Sequence, residues 1–322
     1  MFTSKDIQLR TIFVVNCLNQ RNLRVSNGEL LLEEVEQKKT LTKMPFQKIL
    51  ALFVIGHISI TTPLIEKCKK YNVSLVVLKP NLRPVFYWGE SAEANYLLRQ
   101  RQHLMKDTDL SVAKALIENK ICNQKQMLIK SRRKDHLTTE AISICECCVC
   151  SIAECEDYLS IMGLEGIASK AYFSAFFQDL EWESRRPRTK QDPINVTLDI
   201  GYTILFNFIE CFLRMYGFDL YIGVLHKLWF KRKSLVCDVM EPFRPIVDRT
   251  IRNAFHRRRF KAKDFYMEKG ECRLKKELAS DYYRIFVEDL ISYKMDIFKF
   301  IQAYYRCFMR NDKITSYPSF TM

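Results

Sequence analysis

The sequence has no long apolar run free of charged residues. Its longest stretch free of Asp, Glu, Lys and Arg is residues 49–65, ILALFVIGHISITTPLI, and His57, Thr61, Thr62 and Pro63 interrupt its second half. A membrane-spanning helix needs about 20 predominantly apolar residues, so none is expected here. The N-terminus, MFTSKDIQLR, also lacks the uninterrupted apolar segment of a signal peptide, because Lys5 and Asp6 stand in it. The expectation is a soluble, cytoplasmic protein without membrane contact. There is no Walker A motif, no dinucleotide-binding glycine loop and no Gly-x-Ser-x-Gly elbow, so the known loop signatures of nucleotide binding and serine hydrolysis are missing. No internal repeat is seen. Acidic residues are outnumbered, 37 against 51 Lys and Arg, which leaves a formal charge of +14.

What is present suits a globular chain. With 322 residues, 48% hydrophobic and 27% charged, it can bury a core in about two domains, and disorder as the main state is excluded. The basic surplus favours a polyanionic partner, nucleic acid or an anionic surface, over a merely solvated basic face. Twelve cysteines suggest a disulfide scaffold only in a short secreted chain, so here they read as reduced thiols.

The first third reads as β. Residues 10–15 (RTIFVV) are β-branched and aromatic, and 23–32 are two apolar runs joined by Asn27-Gly28, the strongest short-range hairpin signal. Residues 50–60 predict one or two buried strands, and 73–78 and 85–88 two more. Between them Thr62 caps, and Pro63 opens, a short amphipathic helix. After about Ser91 glycine nearly disappears and 3.6-residue periodicity takes over, so the rest predicts helices. Asp192, Pro193 and Gly217 bracket one long helix, Pro193–Tyr216, with Val196, Ile200, Ile204, Phe208 and Cys211 on its apolar face. The expected fold is α+β: a small β-rich N-terminal domain over 1–91, a larger all-α C-terminal domain over 92–310, and a loose polar tail over 311–322.

Three stretches carry candidate chemistry. In 225–249 (LHKLWFKRKSLVCDVMEPFRPIVDR) His226 precedes a basic loop and a strand-like SLVC, after which Asp238 and Glu241 open a helix. Carboxylates three apart share a helix face. With an imidazole they form a mixed N/O donor set suited to Mn²⁺ or Mg²⁺, although acidic residues also complement helix dipoles and a lone His also packs. In 163–177, Glu165 heads an aromatic-rich helix on a Gly-flanked turn. If buried, its carboxylate needs a cation or N–H donors. Two basic clusters, Arg185-Arg186-Pro187-Arg188-Thr189-Lys190 and 252–261 with Arg257, Arg258 and Arg259, fit phosphate clamping as well as a solvated face. Residues 145–155 carry five cysteines, two of them (Cys147, Cys150) spaced Cys-x-x-Cys. No separate Cys-x-x-Cys or His pair lies at zinc-ribbon distance from this run, and the flanks read as one continuous helix, so packing is the expectation.

Taken in order, GLEG…AYF at 163–173, DPIN…GYTIL at 192–205, His226 and DVMEPFRPIVD at 238–248 resemble the CRISPR-associated integrase of the adaptation module, the Cas protein conventionally numbered first. VIGHISITTPL at 54–64 and AKALIENKICNQ at 113–124 extend the resemblance over nearly the whole chain. It implies a β-domain used for dimerisation and partner contacts, followed by a helical catalytic domain. It also implies a homodimer that assembles with a small second Cas adaptation protein into a heterohexamer. The implied activity is insertion of short duplex DNA, the incoming spacer precursor, into a CRISPR leader-repeat. By motif position Glu165, His226 and Glu241 become the ligands of a divalent metal, Mg²⁺ or Mn²⁺, with Asp238 as the neighbouring catalytic carboxylate. Arg185, Arg186, Arg188, Lys190, Arg244, Arg257, Arg258 and Arg259 become candidate DNA contacts. The competing expectations are a standalone metal nuclease on branched DNA, and a non-catalytic nucleic-acid adaptor.

Overall fold

The protein's computed structural model describes residues 2–17, 21–36, 39–89, 95–105, 110–180, 182–186, 189–227 and 229–322. Thr3 caps the first helix, α1 (Ser4–Leu9), exchanging bonds with Asp6 in a capping box. Strand β1 (Thr11–Cys17) follows, and then an antiparallel sheet of β2 (Arg21–Ser26), β3 (Glu29–Glu34) and β4 (Lys39–Pro45) in that order. Asn27 and Gly28 join β2 to β3 with φ of 49° and 79°, the two positive values a type I′ turn requires. β5 (Ile49–Gly56), helix α2 (Thr62–Tyr71), β6 (Ser74–Leu78) and β7 (Pro84–Trp88) complete a second sheet of order β1-β5-β6-β7. Its first three strands are parallel and β7 is antiparallel. The residue flanking α2 at its cap is Thr61 rather than Thr62, and its hydroxyl makes no capping bond.

β5 explains why this region is more than an appendage. Every one of its residues is buried, as expected for a strand covered on both faces. Ile49, Leu52 and Val54 pack with α2 and the small antiparallel sheet, whereas Leu50, Phe53 and Ile55 join the core of the helical region. Phe53 meets Phe208 edge-on, ring centroids 5.6 Å apart.

The remainder is mostly helical: α3 (Tyr96–Leu104), α4 (Ser111–Lys130), α5 (His136–Ile152), α6 (Tyr158–Phe176), α7 (Pro193–Tyr216), α8 (Ser234–Val239), α9 (Arg244–His256), α10 (Ala279–Ser292) and α11 (Lys294–Arg310). One hairpin, β8 (Phe265–Glu268) with β9 (Glu271–Leu274), interrupts the helices. α7 has the bounds its caps predict, with the Asp192 carboxylate accepting from the Asn195 amide at 2.8 Å. It is apolar and long enough to cross a membrane by composition, yet 78% of its most apolar window lies inside the protein.

Three further sequence expectations change. Residues 137–163 are not one helix: α5 ends at Ile152, and Asp157 caps α6 by accepting from the Ser160 amide. Cys145, Cys148 and Cys155 pack into a satellite core with Ile117, Ile121 and Ile161, while Cys147 and Cys150 are exposed. SLVC is helical, the first turn of α8, because its buried Leu235 and Val236 pack onto the helical core. The tail is docked rather than loose. The Phe320 ring lies 4.7 Å from that of Phe243, and its carbonyl accepts from Asn119 (2.7 Å) and Asn123 (3.0 Å) of α4. The expected boundary near residue 91 falls outside the described residues.

Candidate active site

Glu165 sits in the third turn of α6, not at a helix head, because Asp157 starts that helix two turns earlier. Gly163 and Gly166 are therefore helix-interior residues rather than a turn. One Glu165 oxygen accepts from Ser169 Oγ (2.7 Å) and contacts the Lys120 ammonium. Lys120, from α4, also lies 2.7 Å from Glu241, which opens a short 3₁₀ turn ahead of α9. Arg244 Nε stands 2.8 Å from the same Glu241 oxygen, an ion pair whose angles are not those of a hydrogen bond. The Arg244 guanidinium also covers the Tyr202 ring at 4.6 Å.

Burial raises the pKa of Glu241, but Arg244 and Lys120 outweigh it and hold the carboxyl near about 2. Glu165 is likewise lowered, burial being overcome by Lys120. Burial lowers the pKa of Lys120, yet Glu241 and Glu165 outweigh it and raise the pKa above its ordinary value. The ion cluster is self-consistent: each charge is buried only because another is beside it.

Asp238 does a different job from the one its spacing suggests. It lies in the last turn of α8, is 0% exposed, and shares no helix start with Glu241. Its Oδ2 accepts from the amides of Val224 (2.6 Å) and Leu225 (3.0 Å), and its Oδ1 accepts from the His226 amide (3.1 Å) and meets His226 Nδ1. Both oxygens are committed to the loop that carries the histidine. Bonding at Nδ1 leaves Nε2 as the free imidazole nitrogen. Gly223 makes the approach possible, since a Cβ there would overlap Asp238 Oδ2 and lie 2.8 Å from Ser234 Cβ.

Glu165, His226, Glu241, Lys120, Gln124, Ser169, Tyr202, Arg185 and Arg244 line one open cleft of about 660 Å³. Among the described residues no three His, Cys, Asp or Glu side chains converge closely enough to hold an ion, because Lys120 stands between the two glutamates.

The basic candidates separate. Arg244 and Arg185 line the cleft; Arg185 is braced by Asn195 (2.9 Å) and Asp199 (2.5 Å). Lys190 lines an adjoining larger cleft that shares Arg185, Tyr202 and Arg244 with the first. Arg186 is bound to Glu183 and Gln191. Arg257, Arg258 and Arg259 are exposed just past α9 and line neither cleft. Arg188 falls outside the described residues.

Sequence reasoning missed Lys120, Tyr202, Gly223 and Asp248. Asp248 lies fully buried behind Tyr202, whose hydroxyl donates to it at 2.6 Å, and burial raises its pKa to about 6. For Lys120 a signal existed: it lies on the stripe Ala113, Leu116, Ile117, Ile121, where a cation needs a buried partner.

The family described as "CRISPR associated protein Cas1" matches residues 17–288. A relative from Thermodesulfovibrio yellowstonii, described as "CRISPR-associated endonuclease Cas1 1", is 28% identical over 256 residues, 76% of this chain and 80% of its own length. Among solved structures, a casposase bound to integration product superposes with a TM-score of 0.77 at 20% identity, over 94% of this chain and 92% of that one. The Cas6-RT-Cas1–Cas2 complex gives a TM-score of 0.77 at 21% identity over 97% of this chain, which spans 36% of that longer chain. At such identities the structural likeness establishes fold, and the family match establishes kinship. The chain belongs to the Cas1 family of CRISPR-associated proteins.

Proposed function

We propose that this protein is a metal-dependent DNA integrase that inserts short DNA segments into a CRISPR array. The carrying observation is one cleft lined by Glu165, His226 and Glu241, with a buried carboxylate fixing the histidine and cations on its wall. The donor set fits a hard divalent ion such as Mg²⁺ or Mn²⁺: two ionised carboxylates and an imidazole backed by a carboxylate. Glu165, His226 and Glu241 would hold it, the Lys120 ammonium giving way from between the glutamates. When bound, the ion would supply Lewis-acid stabilisation of a phosphodiester under attack.

The chain's own groups supply the rest. In strand transfer a DNA 3′-oxygen forms a new bond to phosphorus, and the former bridging 3′-oxygen leaves with its electron pair. Arg244, Arg185 and Lys120 place positive charge along the cleft for the nonbridging oxygens. Asp238, whose oxygens are filled by three amides and an imidazole, positions His226 instead of exchanging a proton with substrate. With water as nucleophile the same site would cleave DNA.

Relatives are described as endonucleases, and a superposing complex contains Cas2. On that basis we assign the β-rich region to dimerisation and to contacts with a small second Cas protein in a heterohexamer, with duplex DNA as substrate. The test compares the purified chain with and without that partner. Joining a short duplex to a leader-repeat plasmid should need the partner, and hydrolysis of branched DNA should not. Efficient joining by the chain alone would contradict the assembly, and hydrolysis without any joining would favour the standalone nuclease.

A further inference from the structure

Immediately after His226 the chain forms a loop that the chemistry above does not use. Trp229 and Phe230 at its tip are 75% and 83% exposed, whereas Trp182 is buried and Trp88 half-buried. Lys227, Lys231 and Arg232 beside them are exposed too, and no acidic residue occurs between Leu225 and Cys237.

The loop is held at both ends. Asp238 fixes the amides of Val224, Leu225 and His226 at its start. Lys233 grips both Glu210 oxygens at its close (2.5 and 2.7 Å), and Ser234 Oγ donates to the Lys227 carbonyl at 3.3 Å. A turn between them, with the Arg232 amide donating to the Trp229 carbonyl at 2.9 Å and Lys231 at φ 61°, lifts the two rings outward. Two large exposed rings on an anchored support, with the Lys231 ammonium 5.0 Å from the Phe230 ring centre and other cations close by, match a ligand with flat apolar faces and a negative backbone.

We propose that Trp229 and Phe230 stack on unpaired DNA bases beside the phosphodiester held at His226, with Lys227, Lys231 and Arg232 on the flanking phosphates. The proposal rests on the DNA-processing reading and names how that site grips a single strand. A protein partner would favour an apolar patch depleted in lysine over two rings set among Lys227, Lys231 and Arg232, so single-stranded DNA is the committed occupant.

The test titrates the full chain into a short single-stranded oligodeoxynucleotide carrying 2-aminopurine, and into a blunt duplex of the same sequence, with chelator present. Wild type should quench the fluorophore on the single strand. The double variant Trp229→Ala/Phe230→Ala should lose the quenching and bind the single strand about tenfold more weakly, with a smaller change on the duplex. Trp229→Tyr/Phe230→Tyr, which keeps flat rings, should behave as wild type. Unchanged quenching and affinity in the alanine variant would overturn the proposal. So would unchanged DNA binding with lost association to the small Cas partner, which would make the loop a protein interface. The readout needs neither metal nor turnover, so a wild type that binds but never joins DNA would end the integrase reading and leave this one standing.

Discussion

The Lys120 ammonium lies 2.7 Å from Glu241 and also touches Glu165, so one buried cation bridges two glutamates from separate elements, α6 and the turn before α9. Residues 165 and 241 meet only because α4 brings Lys120 between them. Asn123 of α4 strengthens that junction by donating to the Pro242 carbonyl at 3.0 Å.

Replacing Lys120 by Met should leave the glutamates facing each other across a poorly solvated gap. Loss of one partner from a buried ion cluster costs about 3–5 kcal/mol, and Arg244, which still pairs Glu241, places this case at the low end. In chelator the variant should melt well below wild type, and added Mn²⁺ should raise its Tm by more than it raises that of wild type. Equal melting in chelator would show that the bridge contributes no stability.

Asp238→Ala removes the acceptor for three backbone amides and the histidine. Leaving buried donors unpaired costs about 1–3 kcal/mol each before relaxation, so urea unfolding should show a loss of several kcal/mol. His226→Ala, at a half-buried side chain, should cost far less while abolishing strand transfer. Nearly equal stability of the two variants would contradict the positioning role of Asp238.

Gly223→Ala tests the same support from the other side. The new methyl would overlap Asp238 Oδ2 and push the His226 loop away, at about 1–3 kcal/mol of overpacking. Calorimetry should show weaker Mn²⁺ binding in a protein that still folds. Wild-type Mn²⁺ affinity would mean that the loop tolerates the methyl.

Much of this architecture is written in local chemistry. Asn27-Gly28 and the pairing of Asp192 with Gly217 act within a few residues of themselves, and the hairpin and α7 follow from them. The register of Glu165 was not legible in the same way. Gly163 and Gly166 read as a turn, yet Asp157 caps the helix upstream and packing of Ile161 and Ala168 carries it through both glycines. SLVC is too short for periodicity to separate strand from helix, and only burial against the helical core decides it. The site residues Glu165, His226 and Glu241 came from their motif order, but their relation to Lys120 is tertiary and leaves just one trace, a lysine on an apolar stripe.

Asp248 gives a pH signature. Its folded pKa is raised from 3.8 to about 6 by burial, so the unfolded chain ionises first as pH rises. The cost to stability is absent below about pH 4, grows between about pH 4 and 6, and is complete above that. Asp248→Asn removes a cost of up to about 3 kcal/mol at pH 7. Its stability relative to wild type should rise from pH 4 to 6 and then level off. A difference that stays flat over this range would contradict the raised pKa.

The central claim is that Glu165, His226 and Glu241 together form the strand-transfer site. The most direct measurement is joining of a short duplex with free 3′-OH ends to a supercoiled leader-repeat plasmid, with the small Cas partner, in Mn²⁺ and in chelator. It compares wild type with Glu165→Gln, His226→Ala and Glu241→Gln. The account predicts Mn²⁺-dependent joined product from wild type and none from the three variants, with salt-sensitive DNA binding retained in all. Product from any of the three at the wild-type level, or wild-type product undiminished by chelator, would contradict it.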